Sequence, residues 1–150
     1  MLEYVFQDGR FIAGAGSSEM ELSRRIEEYS RQCPGLEQYS IKAFADALKT
    51  FPKILAENSG APGQETVANL LAKHSEGGQH YGFDCSTGGA AVFDAHEEGV
   101  LDLMRTKYWA LKYSASAACQ VLRVDQIIMA KRAGGPKPRG MGPQDPDDDE

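Results

Sequence analysis

Between residues 18 and 74, apolar residues recur every three or four positions, and that period is broken at only three places. The breaks are Cys33-Pro34-Gly35, Pro52 and Asn58-Ser59-Gly60. A 3.6-residue period interrupted by Pro and Gly punctuation constrains the segment to a series of helices rather than a sheet. The first should carry Leu22, Ile26, Tyr29 and Cys33 on its inward face. Ser18 and Glu21 have the spacing of a capping box at its start, and Ser17 offers a cap one residue earlier. The second carries Leu36, Ile41, Phe44, Leu48 and Phe51. Pro52 should end it or open a short successor, because proline lacks the donor that an interior turn requires. A third is expected over about 64–74, with Val67, Leu70 and Leu71 inward.

After residue 75 the pattern changes. Residues 76–90 (EGGQHYGFDCSTGGA) are glycine-rich around an aromatic centre and suit paired short strands near 81–85. Residues 92–98 read as a short helix closed by Gly99. From 105 to 122, Tyr108, Leu111, Ala115, Ala118 and Leu122 recur at helical spacing, with small residues on other faces, which predicts a long buried helix. Trp109 on it reads as a packing residue. Ile127-Ile128-Met129 is a brief β-favouring run, read as a strand that seeks a partner, with another chain as the candidate. Upstream, residues 2–13 (LEYVFQDGRFIA) read as a helix tail, a turn at Asp8-Gly9 and a short strand. The fold class expected is therefore mainly α, with about six helices and two or three short strands.

Residues 12–22 (IAGAGSSEMEL) join that first strand to the first helix through two glycines. A phosphate loop needs a lysine after its last glycine, and none is present. The dinucleotide pattern G-x-G-x-x-G fails at Glu19, which also puts negative charge where a helix start would welcome phosphate. Two readings stay open: a tight strand-to-helix turn, or a turn whose backbone approaches a flat or sugar-like group. Asp84 and Asp102 read as turn or cap aspartates, or as loop carboxylates accepting from hydroxyls. Asp125 reads as a cap or a partner of Arg123.

Composition bounds the rest. The 150 residues carry a net charge of −6, part of it in the terminal PQDPDDDE. That argues against nucleic acid or an anionic membrane as the main partner. Consecutive terminal carboxylates are solvation rather than a rigid magnesium site. Lys131, Arg132, Lys137 and Arg139 read as a solvated basic patch. Cys33, Cys85 and Cys119 are odd in number and widely spaced, which excludes a disulfide scaffold or thiolate zinc knot. His74, His80 and His96 show no convergent partners. No apolar run reaches the roughly 18 residues a spanning helix needs. The N-terminus has no signal-peptide character, so a cytoplasmic, reducing location is expected.

Six strings in order (IAGAGSSEMEL, CPGLEQYSIKAFADAL, LAENSG, YGFD, GVLD and VLRVDQIIMAKRAGGPKP) resemble the C-terminal portion of a group II chaperonin subunit of the TCP-1/cpn60 family, from about residue 3 to 139. The resemblance implies that residues 1–13 end an intermediate-domain segment and cross into the equatorial domain. Residues 14–131 then form the C-terminal equatorial segment, and 132–150 a flexible Gly/Pro and acidic tail. It implies ATP as the nucleotide, with Gly14, Ala15 and Gly16 against its sugar and base. Asp84 would flank the adenine, Asp102 would accept from the ribose hydroxyls, and Lys107 would stand near the base. The family's Gly-Asp-Gly-Thr-type phosphate loop and its catalytic aspartates are absent from these residues, so Mg is expected only with an N-terminal half and no residue here is expected to be catalytic. The family is an ATPase; this chain is expected to be inactive alone. Implied partners are other chaperonin subunits in a hetero-oligomeric double ring, and unfolded client proteins through the complete complex. The competing reading is a helical protein-interaction module without nucleotide binding.

Overall fold

The computed structural model describes residues 8–87 and 89–130. The chain divides into two units, Met1–Ser114 and Ala115–Glu150. Five helices and four short strands occur among the described residues. Strand β1 (Phe11–Ala13) leads into helix α1 (Ser17–Ser30), followed by α2 (Glu37–Leu48), α3 (Thr50–Asn58) and α4 (Gly63–Ser75). Strands β2 (Tyr81–Phe83), β3 (Val92–Asp94) and β4 (Leu101–Leu103) come next, and α5 (Met104–Leu122) closes the series.

The punctuation acts much as its chemistry dictates. Gly35 and Gly60 take left-handed conformations after α1 and α3, where a Cβ would be strained. Pro52 is the third residue of α3, in a first turn whose amide groups have no intrahelical acceptor, so its missing donor costs nothing there. Pairing is antiparallel in both two-stranded sheets. Ile12 faces Asp102 in β1–β4, and Gly82 faces Phe93 in β2–β3. The core joins Met20, Ala56, Ala61, Val67, Leu70 and Phe83. Val67 and Leu70 are buried as expected, and Leu71 packs at the edge.

Four expectations need correction. In α1 the period is right but the phase is one residue off: Met20, Ser23 and Ser30 are buried, while Leu22 and Tyr29 are exposed. Small side chains set that phase. Ser23 donates its hydroxyl to the Ala45 carbonyl at 2.7 Å, a close helix approach that larger residues would block. Leu36, Phe44 and Phe51 are likewise exposed in this chain, and of the second stripe Leu48 is the buried member.

Residues 92–98 do not form a helix. Val92 and Phe93 pair with β2, and the Asp94 carboxylate then accepts from the His96 and Glu97 amides at 2.9 and 3.2 Å, turning the chain. A β-branched and an aromatic residue fit a pleated pair better than one helical turn.

Helix α5 has no buried residue, against the expectation of a buried central helix. Trp109 stacks on Tyr113 with ring centres 5.4 Å apart. In the second unit, residues 124–130 have no regular secondary structure in the single chain, and Ile127, Ile128 and Met129 are exposed. A strand needs a partner to satisfy its amide groups, and none pairs with these residues among those described. The expected tail at 132–150 lies outside the described residues.

Candidate functional site

The site begins at the glycine turn. Gly14 donates its amide to the Val100 carbonyl at 2.9 Å, and Ser17 donates to the Gly14 carbonyl at 3.0 Å. Between them the backbone turns left-handed at Ala15 (φ 54°) and Gly16 (φ 78°). A left-handed alanine costs about 1 kcal/mol or more and persists only where neighbours hold it. Phe83 supplies the hold, donating its amide to the Ala15 carbonyl at 3.0 Å. A Cβ on Gly82 would sit 2.6 Å from the Ala15 Cβ, so only glycine lets β2 come this close. On the other flank, a Cβ on Gly16 would meet Pro52 at 3.0 Å. The turn is thus held between β2 and the first turn of α3.

The capping box does not form. Gly16 is the residue before α1, and no side chain caps the helix. Ser18 donates to the Ala13 carbonyl at 2.5 Å and Ser17 to the Gln79 carbonyl at 3.0 Å, so the hydroxyls fasten the helix start to β1 and to the turn before β2 instead. Glu21 is engaged elsewhere, by Arg24, Arg25 and His74.

An open cleft of about 440 Å³ lies beside the turn, lined by Ala15, Gly16, Phe51, Leu55, Phe83, Asp84, Cys85, Ser86, Phe93, Val100 and Asp102. Asp84 follows β2 and accepts from the Ser86 amide at 2.8 Å and hydroxyl at 2.6 Å. Those hydrogen bonds hold its carboxyl below the usual aspartate range. Asp102 comes from β4, with Oδ2 3.1 Å from the Lys107 ammonium. Lys107 also donates to Glu19 in a very short contact and lies 4.5 Å from the Phe51 ring centre. Burial opposes charge on Lys107, but its hydrogen bonds to Glu19 and Asp102 outweigh that and raise its affinity for the proton.

Of the six residues singled out from sequence, Ala15, Gly16, Asp84 and Asp102 line this cleft. Gly14 and Lys107 do not line it: a Cβ on Gly14 would lie 3.3 Å from Asp102 Oδ2, and Lys107, which holds Asp102, lines a separate groove. Sequence reasoning missed Phe51, Phe83, Phe93, Ser86 and Glu19. Phe83 adjoins Asp84 and Phe51 adjoins Pro52, signals that were present but ordinary. Glu19 was read only as a charge at a helix start. It is 6% exposed, and its Oε2 is buried without a hydrogen-bond partner among the described residues.

His74 shows no convergent partners in the sequence and reads as structural. It is buried, with Nδ1 3.1 Å from Glu21 Oε2 and Nε2 3.0 Å from the Tyr81 carbonyl. Burial resists ionisation of Glu21, but hydrogen bonds from Arg24, Arg25 and His74 prevail and hold it at about 2. A second groove of about 640 Å³ runs along α1, β1 and α5 and is mostly apolar, with Phe11, Ile12, Leu22, Met104, Tyr108 and Leu111 in its lining.

Chemically, the cleft offers a phenylalanine wall for a flat group and carboxylates that accept from hydroxyls or amines.

The mainly helical fold with its short strands matches part of a group II chaperonin equatorial domain. The chain belongs to the TCP-1/cpn60 chaperonin family, whose pattern matches residues 1–132. Within that family it is similar to T-complex protein 1 subunit theta. It is 50% identical to the Homo sapiens protein over 144 residues, covering 96% of this chain and 26% of that protein. The corresponding identity is 49% for Gallus gallus, again over 96% of this chain and 26% of the relative. For Dictyostelium discoideum it is 46% over 142 residues, or 95% of this chain and 26% of the relative. The chain therefore spans about a quarter of the length of these curated relatives. Among solved structures, it is similar to the open-state monomer of a group II chaperonin from Methanococcoides burtonii. The TM-score is 0.74 at 36% identity, covering 78% of this chain and 29% of that one. Among the described residues, no helix is long and apolar enough to cross a membrane.

Proposed function

We propose that this chain supplies the adenosine-facing side of an ATP site within a chaperonin subunit. The observation that carries the reading is one cleft on which the glycine turn, three phenylalanines and two carboxylates converge. Its volume lies in the range of small-molecule sites. The backbone at Gly14, Ala15 and Gly16 lies against the sugar and base, Asp84 flanks the adenine, and Asp102 accepts from the ribose hydroxyls. Lys107 stands near the base side through its contact with Phe51.

The lining fits a nucleoside and does not fit a triphosphate. Its charged members are Asp84 and Asp102, with no cation among them, and like charge in a partly desolvated cleft repels phosphate. Phosphates, magnesium and the attacking water therefore need residues from elsewhere, since no Gly-Asp-Gly-Thr loop occurs in these 150 residues. ATP, when bound, supplies the free energy of phosphoryl transfer, and the residues of this chain bind and orient its nucleoside part.

In this reading residues 1–13 close an intermediate-domain segment, 14–131 belong to the equatorial domain and 132–150 are a tail. The partners are other chaperonin subunits in a hetero-oligomeric double ring in the cytoplasm, and unfolded clients are met through the complete complex. The exposed Ile127, Ile128 and Met129 support a strand completed by a neighbouring subunit.

Calorimetry of the chain with adenosine and with ATP tests the reading. Heat from both, with ATP binding no tighter than adenosine and without phosphate release, is the expected result. Heat from neither, alongside stable helical circular dichroism, would favour a helical interaction module without nucleotide binding. The exposed aromatic and apolar residues of α5, among them Tyr108, Tyr113 and Leu122, speak for that second reading.

A further inference from the structure

The Glu19 carboxylate sits at the third residue of α1 and is 6% exposed. Lys107 sits in the first turn of α5, and its ammonium bridges Glu19 and Asp102. The bridge is asymmetric. Glu19 is fixed in the interior, whereas the Asp102 side chain is 41% exposed at the edge of the cleft.

A buried carboxylate needs a compensating charge, and removing one partner leaves the other uncompensated. The interior anion therefore fixes where the ammonium stands. The ammonium in turn takes up Oδ2 of Asp102, leaving Oδ1 as the oxygen available to a hydroxyl donor. Shared between two carboxylates, the ammonium neutralises neither fully, so Asp102 keeps the charge that makes it a strong acceptor.

We propose that Glu19 is a positioning residue for nucleoside recognition: through Lys107 it sets the orientation and residual charge of Asp102, and so the preference for a ligand with ribose hydroxyls. This rests on the adenosine-facing reading of the cleft. Glu19 is not among the lining residues and acts only through Lys107. In Glu19→Gln the ammonium loses its interior anion and is drawn wholly onto Asp102, covering the oxygens a sugar would use.

The test compares adenosine with 2′,3′-dideoxyadenosine, which lacks both hydroxyls, by NMR titration of the full chain. One hydrogen bond to a charged acceptor corresponds to a preference of about tenfold or more for adenosine in the unmodified chain. Glu19→Gln should bring that preference close to unity by weakening adenosine alone, with dideoxyadenosine affinity unchanged. Lys107→Met removes the ammonium itself and leaves Asp102 uncovered, so it should keep a preference for adenosine, and it tests the ammonium's part even if Glu19→Gln does not fold. The double variant should therefore resemble Lys107→Met and regain the preference that Glu19→Gln loses. Equal weakening of both nucleosides or an undiminished preference in Glu19→Gln, or a preference lost in Lys107→Met or in the double variant, would overturn the role of Glu19 while leaving the cleft's assignment standing. Failure of the unmodified chain to bind either nucleoside would overturn both.

Discussion

Replacing Gly82 by alanine tests how the site is built. The added Cβ would lie 2.6 Å from the Ala15 Cβ, 2.9 Å from the Ala15 carbonyl oxygen and 3.1 Å from that of Gly14. Two of these contacts are backbone oxygens, which cannot rotate away, so β2 or the glycine turn must move. Overpacking of this kind costs about 1–3 kcal/mol. The Phe83 amide bond to the Ala15 carbonyl, one residue along, would stretch as well, adding about 1 kcal/mol. A total of about 2–4 kcal/mol lowers Tm by about 10 °C for a chain of this size. Thermal unfolding followed by circular dichroism measures it. Gly89→Ala is the matched control, since nothing among the described residues lies within 4 Å of its Cβ position and its φ is outside the left-handed region. It should be neutral or stabilising by up to about 1 kcal/mol. If Gly82→Ala unfolds within about 0.5 kcal/mol of the unmodified chain, a value typical of uninvolved surface positions, the argument that close approach of β2 holds the turn is wrong.

Three further outcomes follow from the same geometry. Glu21 is depressed from 4.5 to about 2, so its contribution is complete above pH 4.5 and is lost as pH falls through about 2. The full shift corresponds to about 3 kcal/mol, reduced to about 1–2 kcal/mol by solvent screening on its arginine side. Urea midpoints between pH 5 and pH 2 should fall less in Glu21→Gln than in the unmodified chain, and parallel curves would refute the assignment. Phe83→Ala removes a fully buried core residue and should cost about 3–5 kcal/mol, read as a lower urea midpoint at constant slope. Asp102→Asn should weaken adenosine binding about tenfold or more by removing a charged acceptor, with unchanged binding in the same titration counting against its role.

The residues that drew attention in the sequence do gather at one place, and the reason is chemical. A glycine pair between a strand and a helix can only be a turn, and loop aspartates next to aromatic residues reach such turns easily. What stayed illegible was whatever depended on a distant neighbour. Ser18 and Glu21 have the spacing of a cap, yet the Ala13 carbonyl and His74 compete successfully for them. The spacing could not reveal competitors that lie upstream of the helix or 53 residues away.

By itself the sequence determined the mainly helical class, the break points at Gly35, Pro52 and Gly60, and the family, because periodicity, backbone restriction and ordered motifs are properties of the chain alone. Only the tertiary structure decided which face of each helix is buried. A one-residue change of phase turned α1 from Leu22 and Tyr29 to Ser23 and Ser30, since close packing against Ala45 favours small side chains. The tertiary structure also made a strand of residues 92–94, whose amide groups are satisfied by β2. And it brought Glu19 and Lys107, 88 residues apart, into one ion pair behind Asp102, because burying a carboxylate requires a cation that the local sequence does not contain.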